Sequence, residues 1–303
     1  MRLALAAVLI AASGAAVASA ADGSDRSTVG GQAPSPPSSG KARQAAAADS
    51  AYRAALKVSR GIGSRPAGSR GERRAHAFVA RRFAAAGLTV SEPGFRVPGR
   101  GRSRNVIGAF ETPAECLLVL MAHTDSVPPG PGANDNASGV GALVALAPRV
   151  AGLSPACDVW LVATGAEERV VIGTGYHVGS AALVRTIREA GRADDLRLAL
   201  SVDMVGRGKR FYLRSPQPSP RPGVEGGILD AARAAGVRVR WARDSGQGNS
   251  DHREFELSGL PAAVIQVWRG FDRCHHEACD RPGRLQKGAL NRVGRVLDRL
   301  LAG

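Results

Sequence analysis

The sequence predicts an α/β protein in which one mainly parallel sheet is covered by helices on both faces. Apolar strands alternate with helical segments along most of the chain. The strands are almost continuously apolar, as in Cys116–Ala122 and Asp158–Ala163, which is typical of strands buried on both faces of a sheet. Residues 46–303 are long enough to form one large domain with a well-covered sheet.

The first part of the chain is predicted to lie outside this domain. A short positive start is followed by the apolar run Leu3–Ala12 and by the small residues Ala18–Ala20. This pattern predicts a secretory signal peptide over residues 1–20, cleaved after Ala20, and the apolar run is too short for a membrane anchor. Residues 21–45 are rich in Ser, Gly and Pro and lack apolar periodicity, so we predict a flexible linker or pro-segment. No later segment is long and apolar enough to span a bilayer.

The order of the elements follows from hydrophobic periodicity and from the residues that break it. Ala75, Val79 and Phe83 recur at helical spacing, and Gly87 stops that helix. By the same reasoning helices are predicted over residues 46–60, 72–86, 137–146, 176–190, 226–235, 253–257 and 285–301. Apolar runs predict strands over residues 88–97, 104–110, 116–122, 158–163, 196–202, 211–213, 237–241 and 262–267, the first of them interrupted by Pro93.

The charge of the chain does not indicate a nucleic-acid partner. The formal net charge is +15, but the Arg residues are scattered along predicted helices and form no basic tract. Aromatic residues make up only 4% of the chain, too few for a base-stacking surface. We therefore predict a solvated basic surface and no nucleic-acid binding.

Four cysteines in an exported chain suggest disulfide bonds. Cys274 and Cys279 bracket a short loop. Cys116 and Cys157 each lie at the start of an apolar strand, so they could meet across neighbouring strands. The alternative for that second pair is two buried free thiols, since free cysteine is often a core residue.

Side chains of the kinds that bind metals follow several of the predicted strands. In an open α/β sheet, functional sites form outside the carboxyl ends of the strands. His123 and Asp125 end one strand two residues apart, so their side chains point the same way in extended backbone. The other candidates at or beyond strand ends are Asp135, Glu167, Glu168, Asp203, His275 and His276.

Two histidines and three carboxylates suit a pair of Zn²⁺ ions with an open coordination position. A bridging carboxylate can hold two ions close enough to share a water and to polarise a carbonyl group. The adjacent Glu167 and Glu168 allow a division of labour, in which one carboxylate coordinates and its neighbour takes a proton from that water.

These motifs resemble those of the secreted di-zinc aminopeptidases, the family of bacterial leucine aminopeptidases and aminopeptidase Y. The resemblance covers nearly the whole chain after the predicted linker. The segments that carry it follow the family's order, and they are Gly63–Ser69, Arg104–Val106, His123–Val127, Gly130–Gly139, Gly165–Glu168, Val202–Gly206, Ser250–His252 and the His276 loop. It implies a single-domain α/β/α sandwich with a mixed, mainly parallel sheet, like that of the zinc exopeptidases.

The resemblance also implies which residues bind the two Zn²⁺ ions. His123 and Asp203 would bind one ion. Glu168 and His276 would bind the other ion, and Asp135 would bridge the two.

The remaining roles are implied in the same way. Glu167 would be the general base and acid, and Asp125 would orient His123. Family members often have a cis peptide directly after the bridging aspartate. Secreted bacterial members also have a Cys-x-x-x-x-Cys loop around the last ligand, which supports a bond between Cys274 and Cys279.

Two positions depart from the family pattern: Val170-Val171 replace the Gly-Leu usual after the glutamate pair, and the second departure concerns a catalytic position. The family usually has Tyr directly before the last ligand, where it helps to stabilise the tetrahedral oxyanion, and this chain has His275. An imidazole can donate the same hydrogen bond, so we predict a catalytic role for His275. The pair offers two candidates for the last ligand, and the loop alignment favours His276 over His275.

The leading functional prediction is a secreted, monomeric zinc aminopeptidase that hydrolyses the amino-terminal bond of a peptide or protein. A glutaminyl cyclase on the same scaffold would use one zinc ion and would not need all five ligands. A carboxypeptidase would need a cationic pocket for the substrate carboxylate, for which Arg207 and Arg214 are candidates. A binding module without metals is disfavoured by the intact ligands and Glu167.

Three other histidines have no clear role in the sequence. His252 could either line the pocket or fix a loop. His76 and His177 lie on predicted helices without partner spacing, so we expect both to be surface or core residues.

Overall fold

The first helix packs its small residues against the rest of the domain. The computed structural model describes residues 40–168, 176–244, 249–267 and 272–303, so the predicted signal peptide lies outside the described residues. One compact unit, Pro37–Gly303, contains all of the described residues. Helix α1 (Gly40–Leu56) begins before the predicted start at Ala46, and its buried side chains are Ala48, Ala51, Ala54 and Ala55.

Strands and helices alternate as the sequence predicts. The strands are β1 (Thr89–Ser91), β2 (Gly94–Val97), β3 (Gly101–Arg104), β4 (Val106–Phe110), β5 (Leu117–His123), β6 (Asp158–Thr164), β7 (Leu196–Val202), β8 (Phe211–Ser215), β9 (Val239–Arg243) and β10 (Ala262–Gln266). The helices after α1 are α2 (Arg70–Ala85), α3 (Ser138–Leu146), α4 (Val150–Leu153), α5 (Val178–Glu189), α6 (Gly227–Ala234), α7 (His252–Leu257) and α8 (Lys287–Ala302).

Eight strands form one sheet in the order β1-β4-β6-β5-β7-β10-β8-β9. The four central strands, β6, β5, β7 and β10, run parallel to one another, so their carboxyl ends meet at one edge. On one side of these four strands, β4 is antiparallel to β6 and β1 is antiparallel to β4. On the other side, β8 is antiparallel to β10. The predicted mixed, mainly parallel sheet is confirmed.

The strand predicted over residues 88–97, with an interruption at Pro93, is two separate strands in different sheets. Its first part, β1, pairs with β4 in the main sheet, and its second part, β2, pairs with β3 in a separate two-stranded sheet. Pro93 lies between them. Proline lacks the N–H group that a continuous strand would use in its ladder, so the chain leaves the main sheet there.

Alternate side chains of β5 pack on opposite faces of the sheet. Leu120 and Ala122 join a large core on the face that also buries α1, α2, α3 and α8. Val119 and Met121 join a smaller core on the opposite face, where Leu183 and Ile187 of α5 pack. This period of two gives the three-layer arrangement. None of the helices in the described ranges is both long and apolar enough to cross a membrane.

Both predicted cysteine pairs are bonded. Cys116 and Cys157, at the starts of the neighbouring strands β5 and β6, have Cα atoms 4.9 Å apart. Cys274 and Cys279 close the loop that contains His275 and His276. The alternative of two buried free thiols is therefore wrong.

Candidate metal centre

A cleft of about 540 Å³ opens at the carboxyl edge of the central strands. The residues that line it include all of the predicted metal ligands, and they are His123, Asp135, Glu167, Glu168, Tyr176, His177, Asp203, Met204, Asn249, Arg253, Gln266, His275 and His276. The cleft is lined mainly by ionisable and amide side chains, whereas most small-molecule pockets are lined mainly by hydrophobic and aromatic ones.

The first ligand group lies at the ends of β5 and β7. His123 Nε2 is 3.2 Å from Asp135 Oδ1 and 3.5 Å from Asp203 Oδ1. All three side chains are buried, with at most 8% of any of them exposed. One imidazole nitrogen therefore faces two carboxylates, which is a donor set that zinc accepts.

The second group shares Asp135 with the first. His276 Nε2 is 2.9 Å from Glu168 Oε1 and 3.3 Å from Asp135 Oδ2. His275 Nε2 is also 3.3 Å from Asp135 Oδ2, and the two imidazole rings are stacked with centroids 3.7 Å apart. The position of Asp135 between the groups is the one that a bridging carboxylate requires.

Glu167 lies beside both groups. Its side chain is buried and faces the cleft, and its carboxylate can approach the ligand atoms of His123 and Glu168 to within 4.8 Å. His177 contacts it, with Nε2 3.3 Å from Glu167 Oε1. A carboxylate in this place can accept a proton from a water inside the cleft.

Asp125 ties the first group to the glutamate pair. Its Oδ1 and Oδ2 accept hydrogen bonds from the backbone N–H groups of Glu167 (3.1 Å) and Glu168 (3.0 Å). Its Oδ1 also lies 3.5 Å from His123 Nδ1. The sequence suggested only the contact with His123, so the link to the glutamates is an addition from the structure.

The residues on either side of Asp135 hold its loop in place. Asn136 donates to the carbonyl oxygen of Val202 at the end of β7 (2.9 Å), and Asn134 accepts from the N–H of Gly206 (2.9 Å). The backbone N–H of Asp135 donates to Asp280 (3.0 Å), one residue after the disulfide loop. The peptide between Asp135 and Asn136 is cis.

The motif Gly63–Ser69 and the helix that follows it form hydrogen bonds with the loops that carry the site residues. Arg65 is fully buried, and its guanidinium donates to backbone carbonyl oxygens of the loop after His123, those of Thr124, Pro131 and Gly132. The carboxyl group of Glu72 accepts from the backbone N–H of Ala166, directly before Glu167 (2.9 Å). Two motif regions distant in sequence are thereby joined by buried hydrogen bonds.

Four described residues at the site have left-handed backbone although none is glycine. They are Ala166 (φ 50°), His177 (φ 59°), Met204 (φ 50°) and His276 (φ 60°), each at a ligand or in contact with a functional residue. This conformation costs on the order of 1 kcal/mol for a residue with a Cβ atom. The surrounding hydrogen bonds must offset that cost, and such strain is concentrated at functional sites in proteins.

The electrostatics of the site favour cations. Burial, together with the charges of Asp135 and Glu167, raises the pKa of Glu168 to about 8. Burial would lower the pKa of His123, but the charge of Glu167 and the neighbouring aspartates outweigh it and raise that pKa well above the usual value. Burial likewise opposes ionisation of His276, yet contacts with Asp135 and Glu168 raise its pKa to about 10. Protons thus occupy positions that a divalent cation would take.

The residues present fit a zinc centre. Asp135 Oδ2 and Asp203 Oδ1 are buried, and neither has a hydrogen-bond partner among the described residues. Buried carboxylate oxygens without donors are costly unless a cation neutralises them. The available atoms are imidazole nitrogens and carboxylate oxygens, which zinc binds in catalytic sites.

The structure also corrects the assignment of residues outside the ligand set. His177, predicted to be a surface or core residue, is buried but contacts Glu167, so it belongs to the site. No pattern of spacing in the sequence indicated this contact. His76 was predicted to be either a surface or a core residue. It is a buried core residue whose Nε2 lies 2.7 Å from Thr124 Oγ1.

The remaining candidates are engaged elsewhere. His252 is fully buried and bonds Asp244 (2.9 Å), so it fixes a loop and does not line the cleft. Arg207 pairs with the buried Asp272 (3.1 Å), and Arg214 pairs with Asp244 (2.7 Å). Neither arginine lines the cleft, which removes the two cationic groups considered for a substrate carboxylate.

Comparison with known proteins agrees with this architecture. The chain is 30% identical over 256 residues to leupeptin-inactivating enzyme 1 of Streptomyces exfoliatus, covering 76% of this chain and 55% of that protein. The chain spans about half the length of the curated relatives it matches. Among solved structures, a zinc aminopeptidase from Bacillus subtilis superposes with a TM-score of 0.72 at 16% identity, covering 84% of this chain and 93% of the other. A glutaminyl cyclase from Porphyromonas gingivalis gives 0.74 at 24% identity, covering 84% and 97%.

The structural similarities establish the fold, and a sequence family provides the classification. Residues 105–301, well over half of the chain, match the model of peptidase family M28. This range includes every residue of both ligand groups and Glu167. The resemblance seen in the motifs is thereby confirmed, and the chain belongs to peptidase family M28.

Proposed function

We propose that the protein is a metallo-aminopeptidase that hydrolyses the amino-terminal bond of peptides through two zinc ions and the general base Glu167. The observation that carries this proposal is the arrangement around Asp135. Its two oxygens face two separate sets of ligands, while Glu167 stands beside both sets in the same cleft.

The ligand assignment follows the distances. His123 and Asp203 would hold one ion, Glu168 and His276 the other, and Asp135 both. When bound, the ions would polarise the scissile carbonyl group and make a water molecule more acidic.

The side chains of the chain perform the proton transfers. As the water oxygen attacks the carbonyl carbon, Glu167 accepts the proton that the water loses. Glu167 then delivers this proton to the amine nitrogen as the carbon–nitrogen bond breaks, so the proton balance closes within the cleft. His275, at 22% exposed and beside Asp135, would donate a hydrogen bond to the developing oxyanion.

The free amino group of the substrate is proposed to lie near Asp203 or Glu168. Both carboxylates line the cleft and are buried, so they favour a cationic group over a blocked terminus. The substrate would be a peptide or protein with a free amino terminus. We further propose that the enzyme is exported and monomeric, and its two disulfides support an oxidising compartment.

Hydrolysis of amino-acid arylamides tests the proposal directly. We expect release from unblocked arylamides, loss of release with a chelator, recovery with zinc, and no release from acetylated arylamides. Glu167→Gln should lower kcat by about 10²–10⁴-fold with its zinc content unchanged, since a general base contributes that much. Glu189→Gln, on the exposed surface of α5, is the matched control and should retain activity.

Metal content separates this function from the alternatives. About two zinc ions per chain are expected for the aminopeptidase, one for a glutaminyl cyclase and none for a binding module. The glutaminyl cyclases share the fold, so a direct assay is needed as well. Release of ammonia from a glutaminyl peptide without hydrolysis of other peptides would contradict the proposed reaction.

A further inference from the structure

His177 lies against the proposed base, although the reaction described above does not use it. Its Nε2 is 3.3 Å from Glu167 Oε1, and its Nδ1 is 3.5 Å from Glu254 Oε1. The imidazole is buried, with only 4% of its side chain exposed. One ring therefore lies between a carboxylate in the cleft and a second carboxylate at the start of α7.

The backbone fixes the ring in this place. The N–H of His177 donates to the carbonyl oxygen of Glu167 (2.8 Å), and that of Val178 donates to Ala166 (2.9 Å). Helix α5 begins directly after His177 and approaches the loop so closely that a Cβ atom on Gly179 would lie 2.0 Å from the carbonyl oxygen of Gly165. The turn that places His177 is therefore bonded to the turn that carries the base.

The two carboxylates keep the imidazole charged. Burial would lower the pKa of His177, but the adjacent carboxylates of Glu167 and Glu254 outweigh it and raise that pKa to about 10. Both ring nitrogens then carry protons at neutral pH, so each can donate. A charge-assisted hydrogen bond of this kind defines the direction of the accepting carboxylate more strongly than a neutral one.

Glu167 needs such a restraint because it can reach the metal ligands. Carboxylate and imidazole atoms of Glu167, Glu168 and His123 can all lie within 4.8 Å of one another, which is close enough to share an ion. A carboxylate that coordinates an ion has its lone pairs engaged and is a poorer base. Two adjacent glutamates in one buried site therefore require a feature that assigns them different roles.

We propose that His177 is a positioning residue that holds the Glu167 carboxylate as the base and keeps it out of the metal ligand set. Glu254 restrains the other side of the ring. The inference rests on the proposed function of Glu167, but it makes a separate statement about which carboxylates contact the metal.

Cobalt(II) spectroscopy of the full chain can distinguish the two arrangements. The visible absorption of bound Co²⁺ becomes weaker and shifts as its coordination number rises, so it reports an added ligand. In His177→Leu we expect the Co²⁺ spectrum to change in that direction, and kcat to fall by about 10²-fold with KM little affected. His177→Gln keeps an N–H donor and places another non-glycine residue in the same left-handed backbone. Its Co²⁺ spectrum and kcat should therefore lie close to those of the unaltered protein.

A control and a second variant separate this effect from general damage. His252→Gln alters another buried histidine that bonds a carboxylate outside the cleft, and it should leave the spectrum unchanged. Glu254→Gln should produce a smaller change of the same kind as His177→Leu, because it loosens the ring without removing it.

The outcomes are distinct. An unchanged spectrum in His177→Leu that binds Co²⁺ would overturn the inference, whether or not kcat falls. Equal losses in the Leu and Gln variants would also overturn it, since the N–H donor would then be irrelevant. If the unaltered protein fails to hydrolyse unblocked arylamides, the proposed function fails, while the spectra still report whether Glu167 enters the ligand set.

Discussion

Asp125 is the residue that connects metal binding with the position of the base. Its carboxylate accepts hydrogen bonds from the backbone N–H groups of Glu167 and Glu168, and one of its oxygens lies 3.5 Å from His123 Nδ1. In Asp125→Asn one carboxylate oxygen becomes an NH₂ group, which cannot accept and would face a backbone N–H. We expect metal affinity to fall by about 10–100-fold, as for other residues that orient metal ligands. Titration with a competing chelator measures this.

A matched control for Asp125 lies at the opposite end of the sheet. Asp195 pairs with Arg192 before the start of β7 and is 30% exposed. Asp195→Asn should leave metal affinity unchanged. Equal affinities for Asp125→Asn and the unaltered protein would show that the contacts of Asp125 do not support the ligands.

Single residues differ in how far the sequence predicts them. The structure places His123, Glu168 and Asp203 together because the strands that carry them are parallel neighbours, which their apolar runs indicate. His177 was misplaced for a physical reason. Its contact with Glu167 depends on a left-handed turn before α5, and the φ of 59° at a histidine has no signal in composition or periodicity.

At the scale of elements, the disulfide loop is the part of the site that lies outside the sheet. Cys274 and Cys279 are separated by 5 positions, and both candidate histidines lie between them. We expect the double variant Cys274→Ser/Cys279→Ser to retain one zinc ion after dialysis and to lose the second. Without the disulfide the loop is less ordered, so binding zinc through His276 costs more conformational entropy and is weaker. Metal content after dialysis against a weak chelator is the measurement.

The other disulfide provides the comparison. Cys116 and Cys157 are separated by 41 positions at the amino ends of β5 and β6, away from the cleft. In the chain-entropy account such a bond stabilises the fold by about 4 kcal/mol. Its double serine variant should therefore unfold at a lower temperature while retaining both ions. Loss of one ion from both double variants would contradict a specific role for the histidine loop.

Elements were predicted where a pattern extends over several turns or a whole strand. The amphipathic helix α8 buries Leu290, Val293 and Leu297, as its periodicity predicts. The interruption at Pro93 was predicted, but the second sheet was not, because a proline marks a break in the ladder and not which sheet the following residues join. Helix α4 has only 4 residues, too few for a helical period to appear.

For the whole molecule, metal binding should be coupled to stability, and the coupling should depend on pH. A ligand that binds only the folded state stabilises it, by about 2.7 kcal/mol when its concentration is 100 times Kd. Zinc requires unprotonated imidazole, whereas the metal-free fold keeps a proton on His276, whose pKa is raised to about 10. Each proton that zinc must displace weakens its binding by about tenfold for every unit that the pH falls.

The rise in melting temperature that zinc produces in chelator-treated protein should therefore be larger at pH 8 than at pH 6, with unfolding at each pH without metal as the baseline. Mg²⁺, which prefers oxygen ligands in octahedral geometry, should produce little change. An equal rise at both pH values, or one as large with Mg²⁺, would contradict a centre that binds through histidine.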